Sequence, residues 1–241
     1  MKKLRHIKLN KNDWYSIGHI CNLIKFDTPT IITGIPDKNY IVLCNENPNI
    51  RNNIDLEAIK KSSEIDIVRV NSDKPELLIG PVFMSKNTLD WQIKNLKDRK
   101  KILSSFAKVL NRNGVIAHLR ESGSRNDLVV EFEGIEYKIL GILDTEKGFS
   151  GMLTLKWDNT IPKKYIRSWK EKSSTGWNIK GLWQLTEKIF DIEDQLVSQI
   201  ALDYNLEIKK DVLSEKELDC IKKIREYITE DDWIFKNIKN W

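Results

Sequence analysis

Between residues 115 and 157 apolar side chains alternate with polar ones at a period of two, and turn-forming residues punctuate the alternation. Residues 115–119, 127–132, 136–143 and 151–157 read as consecutive strands, with tight turns at Glu133-Gly134 and Lys147-Gly148. Strands joined by such short turns pair antiparallel, because a parallel neighbour needs a crossover of about a dozen residues or more. A chain with this block must build an antiparallel sheet and then cover its apolar face. Just before the block, Asn113-Gly114 reads as a left-handed helix C-cap.

The flanking segments supply the cover. A helix is expected over residues 13–25, capped by Asp13, with Ile17, Ile20 and either Leu23 or Ile24 on one face. Strands at 30–33 and 40–44 flank the turn residues Gly34-Ile35-Pro36-Asp37, and a short capped helix at 55–63 leads to a buried strand at 66–70. Ile93, Leu96, Leu103, Phe106 and Leu110 approximate a helical stripe over residues 88–111. After Pro162, Trp183, Ile189, Ile192, Leu196 and Ile200 mark one long helix. Leu218, Ile221, Ile224 and Ile228 mark another, with Ser214 and Glu217 placed as a capping box. The fold class expected is α+β, a mixed, largely antiparallel sheet packed with helices. No linker or fixed-period repeat divides the chain, so residues 1–241 are expected to form a single domain without a C-terminal accessory domain.

Charge and rare residues narrow the function classes. The net charge of +5 is spread over lysines interleaved with acids, as in Lys209-Lys210-Asp211 and Glu215-Lys216-Glu217, which reads as solvated helical surface. No nucleic-acid-binding motif accompanies it, and nucleic acid is not an expected partner. No apolar run approaches the ~20 residues that cross a bilayer, and the basic start lacks a signal-peptide core, so a soluble, cytoplasmic protein without a membrane partner is expected. Cys21, Cys44 and Cys220 are odd in number and far apart, as reduced thiols are. His6, His19 and His118 lie far from one another and from the cysteines, so no structural metal is expected. Among the tryptophans, Trp157, Trp183 and Trp233 fall on expected core faces, whereas Trp14, Trp91, Trp169, Trp177 and Trp241 are not placed by pattern.

The chemistry-bearing residues lie in the strand block. Arg125-Asn126-Asp127 opens one strand, Lys138 follows within Lys138-Ile139-Leu140-Gly141, and Gly151-Met152-Leu153 leads toward Asp158. Lys138 alternates with Ile139, which puts it on the opposite side of the sheet from the core. This order resembles the catalytic domain of the lipoate-protein ligase and biotin ligase superfamily. Asp13-Trp14-Tyr15-Ser16-Ile17-Gly18 resembles that family's first helix, Val42 to Pro48 its V-x-I-G-R-x-Q-N-P turn, and Asn53-Ile54-Asp55 its next helix start. Glu230 to Phe235 resembles its closing tryptophan motif.

The resemblance implies a ligase that activates lipoate or octanoate with ATP and Mg²⁺, then passes the acyl group from an acyl-adenylate to a lysine of a lipoyl-carrier domain. It implies Lys138 as the catalytic group gripping the adenylate. Arg69, Ser72, Gly141 and Gly151 are implied as substrate-binding, and Asn126 and Asp127 as nucleotide-binding. A separate accessory ligase subunit is a further implied partner.

One segment departs from the family pattern. Where relatives carry a second arginine, three glycines and a histidine after Arg69, this chain reads Val70-Asn71-Ser72-Asp73-Lys74-Pro75-Glu76-Leu77-Leu78-Ile79-Gly80. Pro75 fixes its φ and lacks an N–H, so it cannot reproduce a glycine phosphate cradle, and Asp73 and Glu76 put negative charge there. Ser150 also replaces a histidine, and Cys44 a glycine. The sequence thus leaves three functions open: acyl transfer to a carrier lysine, a non-catalytic paralogue or partner subunit that binds a carrier domain, an acyl ligand or a ligase chain, or a re-purposed pocket that binds a different carboxylate or nucleotide.

Overall fold

The computed structural model describes residues 2–10, 25–43, 53–69, 82–122, 125–145, 148–167, 178–186 and 191–228. Its strands are β1 (Lys2–Lys8), β2 (Thr30–Gly34), β3 (Asn39–Leu43), β4 (Ile65–Arg69), β5 (Val82–Met84), β6 (Thr88–Lys94), β7 (Ala117–Ser122), β8 (Arg125–Phe132), β9 (Ile135–Thr145), β10 (Gly148–Thr154), β11 (Asn178–Ile179) and β12 (Leu206–Asp211). The helices are α1 (Leu56–Lys60), α2 (Arg99–Arg112), α3 (Thr160–Tyr165), α4 (Ile192–Asp203) and α5 (Glu215–Ile228).

Among the described residues one sheet has nine strands, in the order β12-β1-β2-β6-β10-β9-β8-β7 with β11 beside β9. The expected antiparallel block is there: β7, β8, β9 and β10 pair in sequence order, and β10 pairs onward to β6. Glu133 (φ 53°) and Gly134 (φ 74°) are both left-handed, as a two-residue hairpin turn demands. Parallel pairs of β1 with β2 and β12 make the sheet mixed. A second, three-stranded sheet has the order β4-β3-β5, in which the parallel pair β3 and β4 is joined through α1.

The main core lies between one face of the large sheet and helices α2 and α4. Leu89, Trp91, Ile93, Leu128, Leu140, Ile142 and Leu153 meet Leu103, Phe106, Leu110, Leu196 and Ile200 there. Trp91 is 2% exposed and packs on Phe106 with ring centroids 4.8 Å apart. Asp98 caps α2 by accepting from the Lys101 N–H, and Gly114 (φ 82°) ends it as expected. Ser105 donates to Asp203, Arg112 to Gln199 and Asn113 to Gln195, which fixes α2 against α4. A second cluster joins β3, β4 and β5 to α1 and α3, with Phe83 meeting Trp157 edge-on. At the opposite face of the large sheet, Ile221 of α5 covers Ile7 and Ile32. The capping box at its start is present: Ser214 N–H donates to Glu217 and Glu217 N–H donates to Ser214 Oγ.

Three sequence expectations are corrected. The helix expected over residues 88–111 is a strand followed by a helix, because Thr88-Leu89-Asp90-Trp91-Gln92-Ile93-Lys94 alternates and left-handed residues at Asn95 and Asp98 redirect the chain before α2. The helix expected from Trp183 onward begins at Ile192; Trp183 sits on a short 3₁₀ turn (Leu182–Gln184) and is 47% exposed. Lys209-Lys210-Asp211 lies on β12, not on a helix; the lysines of that strand mask its half-exposed period-two pattern, and β1, with which it pairs, was not expected either. The expected helix at 13–25, the family-like segments at 44–48, 70–80 and 230–235, Cys21 and Cys44 lie outside the described residues. Cys220 is a free thiol. Among the described residues no helix is long and apolar enough to cross a membrane.

Candidate functional site

The face of the large sheet turned away from α2 and α4 is polar at its centre. Its β6 residues Asp90, Gln92 and Lys94 are 4–8% exposed, Thr30 paired with Lys94 is 0% exposed, and Asp127, farther along the sheet on β8, is 1% exposed. One register line crosses this face through Arg120, Asp127, Gly141, Met152, Asp90 and Gly34. Apolar sheet surface would be expected if this face served packing alone, because burying polar groups carries a desolvation penalty. The Gln92 Oε1 and Asp127 Oδ2 atoms are buried and have no hydrogen-bond partner among the described residues. Such orphaned acceptors each cost about 1–3 kcal/mol, and a ligand donor or cation would relieve them.

Lys138 reaches Asp127 through a local irregularity. Leu128 pairs with Leu140, but Val129 pairs with Lys138, so Ile139 is an extra residue in β9. In an unbroken strand Lys138 and Gly141, three positions apart, would point to opposite faces. The bulge puts Ile139 and Leu140 together in the core, each 1% exposed, and leaves Lys138 and Gly141 on the polar face. The Lys138 ammonium then lies 2.8 Å from Asp127 Oδ1. Its stem passes over Gly141: a Cβ there would be 3.1 Å from Lys138 Cε and 3.2 Å from Nζ. The side chains are 19% and 2% exposed, so the pair sits at the edge of solvent with its acid inside.

The lysine also marks a fork in the sheet. The pairing of β10 with β9 ends at Leu153–Leu140, and β11 takes its place beside Tyr137 and Lys138. Just after β11, Lys180 Nζ lies over the rings of Phe132 (3.6 Å) and Tyr137 (4.9 Å). Farther out on the polar face, Arg120 pairs with Glu136, and His118 Nε2 is 3.5 Å from the same carboxylate.

A different charged cluster sits on the helix face. Glu193 accepts from Lys8 and from Thr33 Oγ1, and His6 Nε2 lies 3.0 Å from that hydroxyl. Burial pushes the Glu193 carboxyl up, but His6 3.8 Å away and hydrogen bonds from Lys8 and Thr33 outweigh it and hold it at about 2. A cavity of about 10 Å³ between sheet and α4, lined by Thr33, Trp91, Phe106, Glu193 and Leu196 among others, is the size of one water. It is far too small for an acyl chain.

The structure thus brings Lys138, Asp127 and Gly141 into contact. Asn126 precedes Asp127 on β8, and Arg69 ends β4 in the small sheet; both are described by their backbone alone. Gly151 lies on the helix face: a Cβ there would stand 2.3 Å from the Trp91 ring, so it leaves room for the tryptophan rather than contacting Lys138. Ser72 lies outside the described residues. Sequence reasoning missed Asp90, Gln92, Lys94, His118, Arg120 and Glu136. The alternation in β6 could have revealed the first three, and the adjacent Ile139-Leu140 between Lys138 and Gly141 could have revealed the bulge. Among the described residues no three His, Cys, Asp or Glu side chains are grouped to hold a metal ion.

By sequence, no family model and no curated protein matches the chain. Solved structures do match it in three dimensions. A bipartite lipoate protein ligase from Thermoplasma acidophilum, studied with its E2 lipoyl domain, superposes with a TM-score of 0.72 at 13% identity, covering 100% of this chain and 98% of that one. A putative lipoate protein ligase from the same organism, with bound lipoic acid, gives 0.68 at 12% identity, with 98% and 99% covered. A lipoate-protein ligase A bound with ATP gives 0.70 at 13% identity, again covering 98% and 99%. At such identities the likeness establishes the fold, which is that of the lipoate-protein ligase catalytic domain.

Proposed function

We propose that this chain is a lipoate-protein ligase-like acyltransferase, which passes a lipoyl or octanoyl group from an acyl-adenylate to a lysine of a carrier domain. The observation carrying this reading is the Lys138–Asp127 pair over Gly141, set on a buried polar face within that fold. An acyl-adenylate is a mixed anhydride, and its transfer needs a donor aimed at the oxygens on which charge develops. Lys138 has three N–H donors, of which Asp127 Oδ1 takes one, so the others can meet the adenylate. Asp127 and the bare surface of Gly141 hold the ammonium in position before substrate arrives, which lowers the entropic cost of alignment.

The neighbours with lipoic acid, ATP and a lipoyl domain support lipoate, ATP and a carrier domain as the ligands of this chain. Mg²⁺ ordinarily takes one or two carboxylates, with waters and substrate phosphates completing its shell. The orphaned Asp127 Oδ2 fits that requirement. When bound, the ion would neutralise phosphate charge during activation.

Residues 70–80 favour a second reading, a non-catalytic paralogue or partner subunit, since Pro75, Asp73 and Glu76 replace a glycine cradle. One experiment separates the two. The protein is given lipoyl- or octanoyl-adenylate and a lipoyl domain, and the acceptor is weighed intact. The ligase reading expects the acyl mass on the acceptor and a loss of at least about ten-fold in Lys138→Ala, with Lys138→Arg retained as a folded control that keeps a cation beside Asp127. No mass increase with wild-type protein, with binding of the carrier intact, would establish the non-catalytic reading instead. Supplying ATP, Mg²⁺ and the free acid in a parallel reaction tests activation separately.

A further inference from the structure

The outer charges of the polar face form a set that the acyl-transfer reading leaves unused. On β7, the strand at the end of the sheet, His118 and Arg120 lie on the same face as the site. The register runs His118–Val129–Lys138 and Arg120–Asp127–Gly141. Both side chains converge on Glu136, which belongs to β9 and lies two positions before Lys138. Reaching Glu136 from β7 takes the imidazole across β8, over Val129, which is 0% exposed. Without that lean the ring would stand two strands, about 10 Å, from β9. Exposure rises outward in order: Asp127 2%, Lys138 19%, Glu136 33%, Arg120 43% and His118 49%.

We infer that His118, oriented by Glu136, is the group that takes the proton from the attacking amine. The inference rests on the acyl-transfer reading above. A lysine side chain arrives as an ammonium ion, which has no lone pair for attack, and it must approach the adenylate from the solvent side of Lys138. Lys138 is itself cationic beside Asp127 and is no acceptor. Among the described side chains at this lip, His118 offers an imidazole nitrogen able to take up a proton, and the Glu136 carboxylate 3.5 Å away lies ready to balance the charge so formed. Arg120 holds the other side of Glu136 and keeps it extended toward the imidazole.

One ammonium proton passes to His118, and the freed lone pair forms the C–N bond to the acyl carbon. The C–O bond to the adenylate phosphate breaks, its electron pair leaving with AMP. The second nitrogen proton and the proton on His118 are released to water, which reaches the half-exposed ring.

The test uses preformed octanoyl-adenylate, so that activation is bypassed, and compares ethylamine with hydroxylamine. These are similar in size, but at neutral pH the first is an ammonium ion and the second is mostly neutral. Rates are read above the uncatalysed background for wild type and His118→Gln, with the carrier lysine as a third acceptor. The inference expects at least about a hundred-fold loss with ethylamine and with the carrier, and less than about a two-fold change with hydroxylamine. Added imidazole should restore part of the loss in His118→Ala. Equal losses with both small nucleophiles, or no loss with either, would overturn the role of His118 while leaving acyl transfer standing. Absence of wild-type transfer to any acceptor would overturn the acyl-transfer reading and this inference with it.

Discussion

Replacing Gly141 and Gly151 by alanine, one at a time, separates two glycines that sequence reasoning treats alike. At 151 the new Cβ would stand 2.3 Å from Trp91 Cζ2, 2.7 Å from Cε2 and 2.5 Å from the Gly141 carbonyl oxygen. Comfortable contacts are about 3.5–4.0 Å, so the overlap exceeds an ångström against a buried ring and a backbone atom. Trp91 has little room to retreat, because it is 2% exposed and packed on Phe106. Overpacking of this kind costs about 1–3 kcal/mol, and the upper end applies here. A loss of about 3 kcal/mol lowers Tm by roughly 6–12 °C in a chain of this size. At 141 the Cβ would be 3.1–3.2 Å from the end of the Lys138 side chain, which can move by a few tenths of an ångström. Alanine also regains about 0.5–1 kcal/mol of backbone entropy in a strand. Gly141→Ala should therefore stay within about 1 kcal/mol of wild type in urea unfolding followed by circular dichroism, yet shift the Lys138 ammonium from its place against Asp127 and Gly141 and reduce acyl transfer. Similar losses of stability in both variants, or an unperturbed Gly151→Ala, would refute the assignment of these glycines to opposite faces.

Two further expectations concern stability alone. The Glu193 carboxyl is held at about 2 against an ordinary value of 4.5. The unfolded chain therefore binds the proton first, and stability present above about pH 4.5 drains away as pH falls toward 2. The difference is on the order of 3 kcal/mol, and urea titrations of wild type and Glu193→Gln across that window should diverge; parallel curves would sink the account. Trp91→Ala should cost about 3–5 kcal/mol and Trp183→Ala less than about 1, as follows from 2% and 47% exposure, and comparison of their unfolding midpoints decides the matter.

How far the chain was legible depended on whether its signals were local. The hairpin run from β7 to β10 and the caps of α2 and α5 were readable, because period-two alternation, Glu133-Gly134, Gly114 and Ser214 with Glu217 each act on neighbours a few residues away. The segment 88–94 misled because Ile93 and Leu96 also fit a helical spacing; the left-handed turns at Asn95 and Asp98 outweighed it. Trp183 was read as core from its spacing to Ile189, although the helix that would have buried it starts only at Ile192.

For the candidate site, the sequence alone determined that Lys138 leaves the core, since Ile139 beside it must enter, and that Asp127 opens the strand paired with it. That the two meet follows from long-range pairing that no local pattern encodes. Their contact depends on a one-residue bulge that shifts which side chains share a face, on a glycine that leaves the lysine room to lie down, and on a sheet register set by pairings across the whole fold. The separation of Gly151 from Gly141, and the convergence of His118 and Arg120 on Glu136, were decided in the same way. Strand pairing brings together residues that are distant in sequence, and a shift of one position reverses every face assignment beyond it.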